Sequence, residues 1–195
     1  METKYPAGIV LEIPEPIRSR VQAIRESLGT ITARLPVEIT VAGSSGLGGI
    51  VQGTDIKKIT TELERVASKM STFEVSFAGI RSFPNTSVVY LAPLDRKPFD
   101  SAHEVLRSSS IPFRNSPFPF TPHCTLRDGK PLPPEEISRI LATPFPRDTF
   151  LIDTISVYEF SVYEPEEDRV ACNLMFSRKL SPNPSLHLPA ILPRL

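Results

Sequence analysis

Residues 121–127 read TPHCTLR, and this stretch is the strongest indication of both the fold and the chemistry of the chain. His123, Thr125 and Arg127 alternate with the apolar residues Cys124 and Leu126, a period of two that is typical of a β-strand. Alternate side chains of a strand lie on the same face. One face therefore offers an imidazole, a hydroxyl and a guanidinium, and the other face is expected to point into the core.

These three polar groups suit the chemistry of a phosphate ester. Histidine titrates near neutral pH, a threonine hydroxyl can donate to a phosphoryl oxygen, and arginine is a good phosphate ligand. For an arbitrary His-x-Thr sequence, an exposed strand face with incidental polar residues is the commoner explanation. The rest of the chain decides between the two interpretations.

A similar strand pattern lies in the first half of the chain, where residues 37–41 read VEITV. Thr40 matches Thr125, and Glu38 stands 85 positions before His123, in the place that corresponds to that histidine. The two stretches resemble the paired His-x-Thr/Ser signatures of the two-histidine phosphoesterase superfamily. That superfamily includes bacterial 2′-5′ RNA ligase and plant and fungal cyclic phosphodiesterases, and the resemblance covers about residues 5–180.

Strand and helix patterns interleave along the chain, with one motif-bearing strand in each half. Strands are predicted over 7–13, 37–42, 73–80, 87–92, 122–127, 150–163 and 169–179, and helices over 16–28, 54–70, 95–107 and 134–141. This order predicts an α+β fold of two pseudo-symmetric lobes, one in each half, with antiparallel sheets facing a central cleft and helices on the outside. The predicted organisation is a single bilobal domain over 1–180, followed by a proline-rich tail over 181–195.

The resemblance implies a reaction without a metal ion. In the family, one histidine activates water against a 2′,3′-cyclic phosphate, the other protonates the leaving ribose oxygen, and the two threonines hold the phosphate oxygens. Carried over to this chain, His123 is the acid or the base, Thr40 and Thr125 bind the phosphate, and Glu38 is the substitute for the second histidine.

Glu38 is the point at which the chain departs from the family pattern. An ordinary glutamate, with a pKa of about 4.3 against about 6.5 for histidine, is ionised at pH 7 and can act as a base but not as an acid. One alternative is therefore that Glu38 is the base and His123 the protonated acid. Another is that burial and the bound phosphate raise the pKa of Glu38 until it donates a proton. A third is a site that binds a nucleotide without turnover.

Three further residues are candidates for substrate binding. Arg127 could contact a phosphate or could end the strand in solvent, and Tyr90 and Phe83 could stack on a base or belong to the core. The other two histidines are not expected to replace the missing one, since His103 lies on a predicted helix and His187 in the tail.

The glycine-rich segment 43–49 (GSSGLGG) follows a strand and precedes a helix. It lacks both the Gly-Lys-Ser/Thr ending of a P-loop and the spacing of a dinucleotide fingerprint. A flexible turn beside Thr40 is the better interpretation.

The composition sets further limits. The chain has 195 residues with 22 basic and 22 acidic side chains, and this neutrality argues against a general DNA- or RNA-coating protein. The expected partner is a nucleotide or an RNA terminus with a phosphate, without stable DNA binding. Two cysteines and three scattered histidines give neither a disulfide framework nor metal-ligand spacing, so no cofactor is expected. No apolar run is long enough to span a bilayer, and a cytoplasmic monomer is expected.

The sequence therefore predicts a metal-independent hydrolase of the cyclic phosphodiesterase or 2′-5′ RNA ligase type. Its substrates would be 2′,3′-cyclic phosphates or 2′-5′-linked nucleotides, as in RNA processing. Two alternatives stay open. One is a catalytically inactive module of the same fold that binds a nucleotide or an RNA end, and turnover separates it from the enzyme. The other is an unrelated α+β domain, which predicts that Glu38 and His123 do not meet in space.

Overall fold

The elements of the chain follow the predicted order. The computed structural model describes residues 2–186, so His187 and most of the expected tail lie outside the described residues. The helices are α1 (Ile17–Ser27), α2 (Ile56–Lys69), α3 (Lys97–Arg107) and α4 (Pro134–Leu141), with short 3-10 turns at Ile31–Arg34 and Pro165–Glu167. The strands are β1 (Ala7–Glu12), β2 (Glu38–Ala42), β3 (Phe73–Val75), β4 (Phe77–Ser82), β5 (Val89–Pro93), β6 (Cys124–Arg127), β7 (Phe150–Ile152), β8 (Thr154–Glu164) and β9 (Arg169–Lys179).

Two main sheets carry the two motif-bearing strands. The first sheet has the order β2-β1-β8-β9 and the second has the order β4-β5-β6, and all their pairings are antiparallel. β2 and β6 are each the edge strand of their sheet. The predicted α+β architecture with antiparallel sheets is confirmed.

The two lobes repeat one order of elements. β1, α1, β2 and α2 follow one another in the first lobe, and β5, α3, β6 and α4 follow one another in the second. In both lobes the first strand pairs with the motif strand in antiparallel fashion. The lobes are not the two halves of the chain, however, because β8 and β9 complete the first sheet.

Two predicted strands are wrong in their extent. The segment 73–80 is divided into β3 and β4, and the segment 150–163 into β7 and β8. β3 and β7, the first parts of the two divided strands, pair with each other in a separate two-stranded ribbon. At the breaks, the carbonyls of Ser76 and Asp153 leave the ladders and accept from the N–H groups of Leu94 at 2.9 Å and Leu180 at 2.8 Å.

The helices cover the sheets with their apolar stripes. Ile17, Val21 and Ile24 of α1 are buried, as the 3.6-residue period predicts. Asp55 precedes α2, and its carboxylate caps the helix by accepting from the N–H of Lys57 at 3.1 Å. None of the helices among residues 2–186 is long and apolar enough to cross a membrane.

Candidate active site

A cavity of about 660 Å³ lies between the two main sheets. Glu38 and Thr40 of β2 line it from the first lobe, and His123 and Thr125 line it from the second lobe, on and just before β6. The structure thus brings the two sequence motifs to one cavity, although they lie 85 residues apart. The unrelated-domain alternative required that Glu38 and His123 be apart, and it is not supported.

His123 is held in one orientation by a backbone carbonyl two residues before it and by two aromatic rings. Its Nδ1 lies 2.6 Å from the carbonyl oxygen of Thr121, which can only accept, so Nδ1 carries the proton in the neutral ring. Nε2 then has a free lone pair. Burial lowers the pKa of His123 below its usual value, which favours this neutral form at pH 7. The histidine is therefore prepared to accept a proton.

Tyr90 and Phe83 hold the ring of His123 instead of lining the cavity. Their rings stack on each other with centroids 4.4 Å apart, and both present edge contacts to His123, at 5.2 and 5.0 Å. Tyr90 is 8% exposed. The structure thus favours the core alternative for the two aromatic residues and does not bring them to a base in the cavity.

Arg127 is also absent from the cavity lining. It is 5% exposed, and its guanidinium donates to the carbonyl oxygens of Ser87 at 2.9 Å and Lys130 at 2.5 Å. The register between β5 and β6 shifts between Val89 and Tyr90, so strict alternation fails where Arg127 lies. The structure supports neither the phosphate contact nor the solvated strand end for Arg127, which ties the end of β6 to its neighbours.

Glu38 has an environment that favours its protonated form. The side chain is partly buried on the cavity wall, and its Oε2 accepts from the Thr40 hydroxyl at 3.0 Å. Burial raises the pKa of Glu38 to about 7, although the charge of Arg25 and the Thr40 hydrogen bond act in the opposite direction. The protonated carboxyl is therefore much more accessible near neutral pH than in an ordinary glutamate. Of the two catalytic alternatives, this environment favours Glu38 as the donor.

Arg25 is a residue of the cavity lining that the sequence interpretation missed. It lies on α1, is 1% exposed, and joins the two lobes by donating from Nε to the carbonyl oxygen of Thr125 at 2.8 Å. Its Nη1 donates to three carbonyl oxygens of the first lobe, those of Thr32 at 3.2 Å, Leu35 at 3.0 Å and Pro36 at 2.9 Å. The signal was its position four residues after Val21 on the buried stripe, where a charged residue is unusual.

The Arg25→Lys variant is expected to lower the free energy of unfolding by about 2–4 kcal/mol. Lysine keeps the charge but lacks the planar fork, so several buried carbonyls lose their donor. Urea denaturation checks this value. Arg20→Lys is the matched control, because Arg20 lies on the same helix but is exposed and paired with Asp148, and it should change stability by less than about 0.5 kcal/mol. Equal stability of the two variants would contradict a structural role for Arg25.

Cys124 and His103 are buried residues with structural roles. Cys124 points into the core, as the strand pattern predicts, and burial raises the pKa of its thiol to about 11. His103 of α3 is buried, with Nδ1 at 2.8 Å from the Val41 carbonyl oxygen and its ring stacked on Phe120 at 4.0 Å. Neither residue lines the cavity.

The glycine-rich loop is paired with the segment that precedes β6. The N–H of Gly48 donates to the carbonyl oxygen of Arg114 at 3.0 Å, and the N–H of Arg114 donates to that of Gly49 at 2.8 Å. A Cβ at Gly48 would lie 2.5 Å from the Arg114 carbonyl oxygen. The glycines thus permit a close backbone contact, and the interpretation of a free flexible turn was incomplete.

Metal ligands are not gathered at the cavity. Within residues 2–186, no group of three or more His, Cys, Asp or Glu side chains is arranged to hold a metal ion. The proton-transfer and hydroxyl groups that the two motifs bring to the cavity are Glu38, Thr40, His123 and Thr125.

The sequence of the chain matches a known family model, and its fold is similar to that of several solved structures. The family model described as the 2′-5′ RNA ligase superfamily matches residues 13–164. The structure of E. coli LigT in complex with 3′-AMP is similar with a TM-score of 0.60 at 18% identity, covering 90% of this chain and 98% of that one. The same protein in complex with NADP+ gives a TM-score of 0.59 at 16% identity, covering 92% and 99%.

TT0787 of Thermus thermophilus is similar with a TM-score of 0.64 at 15% identity, covering 91% of this chain and 98% of that one. A search of curated proteins found no match. At these identities the similar structures show the shared fold alone.

Proposed function

The chain belongs to the 2′-5′ RNA ligase superfamily, and on that premise we propose that it hydrolyses 2′,3′-cyclic phosphates or 2′-5′ linkages of nucleotides and RNA ends. Membership supports a phosphodiesterase-type function in general. The observation that carries the specific proposal is the opposition of Glu38–Thr40 and His123–Thr125 across one cavity. Each lobe supplies one proton-transfer group and, two residues later, one hydroxyl donor.

Substrate binding begins at the two threonines. Their hydroxyls donate to the non-bridging oxygens of the phosphate and hold the phosphorus between the lobes. Thr40 donates to Glu38 in the unliganded protein, so its hydroxyl has to turn away from the carboxyl when phosphate binds. Loss of that hydrogen bond and the arrival of a negative charge both raise the pKa of Glu38 further. Binding therefore protonates the group that will act as the acid.

The chemical step then moves two protons. Nε2 of His123 takes a proton from water, whose oxygen attacks phosphorus, and Glu38 gives its proton to the ribose oxygen as the P–O bond breaks. The products are a phosphate monoester, a free ribose hydroxyl, protonated His123 and ionised Glu38. Repulsion between the carboxylate and the product phosphate assists release, and exchange with solvent restores both groups.

The ligands of the similar structures support a nucleotide as the substrate. E. coli LigT, which shares the fold of this chain, has been solved with 3′-AMP and with NADP+. The monomeric state, the cytoplasmic location and the absence of a metal requirement stay predictions.

Incubation of the protein with 2′,3′-cyclic AMP and with a 2′-5′-linked adenosine dimer, both in EDTA, tests the proposal. We expect hydrolysis of at least one of them to products that carry a monoester or a free hydroxyl, at a rate unaffected by the chelator. Calorimetric titration with 3′-AMP in parallel identifies the alternative function. Binding without turnover would establish the inactive binding module, and neither binding nor turnover would overturn both.

A further inference from the structure

Arg114, Asn115 and Ser116 line an end of the cavity that the proposed chemistry does not use. Their position follows from the pairing of the backbone, because Phe113 bridges to Ile50 and Ile50 bridges to Ala7 of β1. Thr40, by contrast, is paired with Val10 of the same strand. At about 3.3 Å per strand residue, these two levels are about 10 Å apart along β1.

The backbone that carries Arg114 is fixed on both sides. Its N–H and carbonyl form the reciprocal hydrogen bonds to Gly49 and Gly48 described above. Two residues later, the hydroxyl of Ser116 donates to the carbonyl oxygen of Ser44 at 2.9 Å. The glycine-rich loop thus holds the segment 114–116 against the cavity. The loop has no part in the proposed hydrolysis, so this positioning is a separate role for the motif.

The side chain of Arg114 carries a positive charge that is not paired with a carboxylate of the described residues. It is exposed, and the guanidinium has no hydrogen bond or ion pair with any residue of the described range 2–186. The amide of Asn115 is equally without a partner there. The two carboxyl side chains that line the cavity have partners: Glu38 accepts from the Thr40 hydroxyl at 3.0 Å, and Glu164 pairs with Arg169 at 3.0 Å. An arginine that lines a cavity on a fixed backbone, and whose guanidinium has no counter-charge within the described residues, suits an anionic ligand group.

We infer that Arg114 binds a second phosphate of the substrate, one nucleotide away from the phosphate that is cleaved. The long side chain of arginine covers part of the separation between the two levels, and its guanidinium can bind phosphate through two parallel hydrogen bonds. This inference rests on the proposed function and narrows its substrate class. The preferred ligand is an oligonucleotide end, or a nucleotide with two phosphates, over a nucleoside with a single cyclic phosphate.

Equilibrium binding tests the inference without requiring turnover. Calorimetry compares 3′-AMP with adenosine 3′,5′-bisphosphate and with a 3′-phosphorylated adenosine dinucleotide. The wild type is expected to bind at least one of the two ligands with an added phosphate about tenfold more tightly than 3′-AMP, as a charge-assisted pair predicts. In Arg114→Gln that preference should disappear, while the affinity for 3′-AMP stays the same.

Arg139→Gln is the matched control, because Arg139 is an exposed arginine on α4 that does not line the cavity. It should keep the wild-type preference. A preference for the dinucleotide alone identifies the internucleotide phosphate as the ligand, and a preference for the bisphosphate alone identifies a terminal phosphate. Equal wild-type affinity for all three ligands would overturn the inference but not the proposed hydrolysis. Binding of none of them would count against both.

Discussion

His123→Asn is expected to lower kcat on 2′,3′-cyclic AMP by about 10²- to 10⁴-fold, with little change in KM. Asparagine can place its Nδ2 close to the position of histidine Nδ1 and keep the donation to the Thr121 carbonyl oxygen. What it lacks is the basic nitrogen Nε2. The variant therefore removes the proton acceptor while it retains the anchor, and steady-state kinetics measures the loss.

The control for this variant is its thermal stability, which should stay close to that of the wild type. His103→Asn is a second control, because His103 is buried outside the cavity and its loss should affect stability more than kcat. An active His123→Asn with normal KM and kcat would rule out His123 as the base.

Glu38→Gln is the second variant with a large expected effect, a decrease in kcat of about 10²-fold or more at neutral pH. Glutamine keeps the shape of the side chain and can still accept from Thr40, but it has no proton to transfer. Glu38→His restores the two-histidine pattern and a titratable group, so it should retain more activity than Glu38→Gln. Equal activity of wild type and Glu38→Gln would exclude Glu38 from the reaction.

A substrate with a good leaving group distinguishes the acid from the base. p-Nitrophenolate leaves without protonation, so hydrolysis of a p-nitrophenyl phosphodiester needs the base but not the acid. We expect Glu38→Gln to lose only a few-fold on that substrate, and His123→Asn to lose about as much as on the cyclic nucleotide. The reverse result would support the alternative in which Glu38 is the base and His123 the acid.

The pH dependence of the wild type follows from the same two groups. The proposed mechanism requires neutral His123, whose pKa is lowered by burial, and protonated Glu38, whose pKa is raised to about 7. The value of kcat/KM, which reports the unliganded protein, is therefore expected to fall on the acidic side below the usual pKa of histidine and on the alkaline side above about pH 7. Glu38→Gln should lose the alkaline limb.

The stability of Glu38→Gln should differ from that of the wild type in a pH-dependent way. The unfolded chain ionises Glu38 near pH 4.5, whereas the folded protein holds the proton until about pH 7. Ionisation thus favours the unfolded state across this interval, and the contribution of the protonated carboxyl is lost as the pH rises. Relative to the wild type, the variant should have a similar Tm below pH 4.5 and a higher Tm at pH 8.

The sequence was sufficient to predict the site wherever the chemistry depends on local spacing. In each motif, the alternation of the strand predicts that the titratable residue and the threonine share one face. The structure brings all four residues to one cavity: Glu38, Thr40, His123 and Thr125. Arg127 also obeys the alternation in the sequence, but a shift in the pairing of β5 and β6 takes it elsewhere. Register shifts depend on the partner strand, so the pattern of one strand cannot reveal them.

Arg25 and Arg114 show the second reason why prediction was incomplete. Arg25 acts through carbonyl oxygens up to 100 residues away, and the sequence gives no spacing rule for such contacts. Arg114 reaches the cavity only because the glycine-rich loop pairs with its backbone. The division of the predicted strand 73–80 has a similar cause, because the period of two continues through Ser76 although the chain passes there from one sheet to another.

The order of strands in the first sheet has a consequence for biosynthesis. β1 lies between β2 and β8, and Ala7 pairs with Glu159, so one edge of β1 has no strand partner until about 150 further residues have left the ribosome. At about 5–20 residues per second, that interval is roughly 8–30 s. Since β8 also supplies one wall of the cavity, a nascent chain that already contains Glu38 and His123 still lacks a complete site. The protein is therefore expected to act on nucleotides only after translation has passed β8.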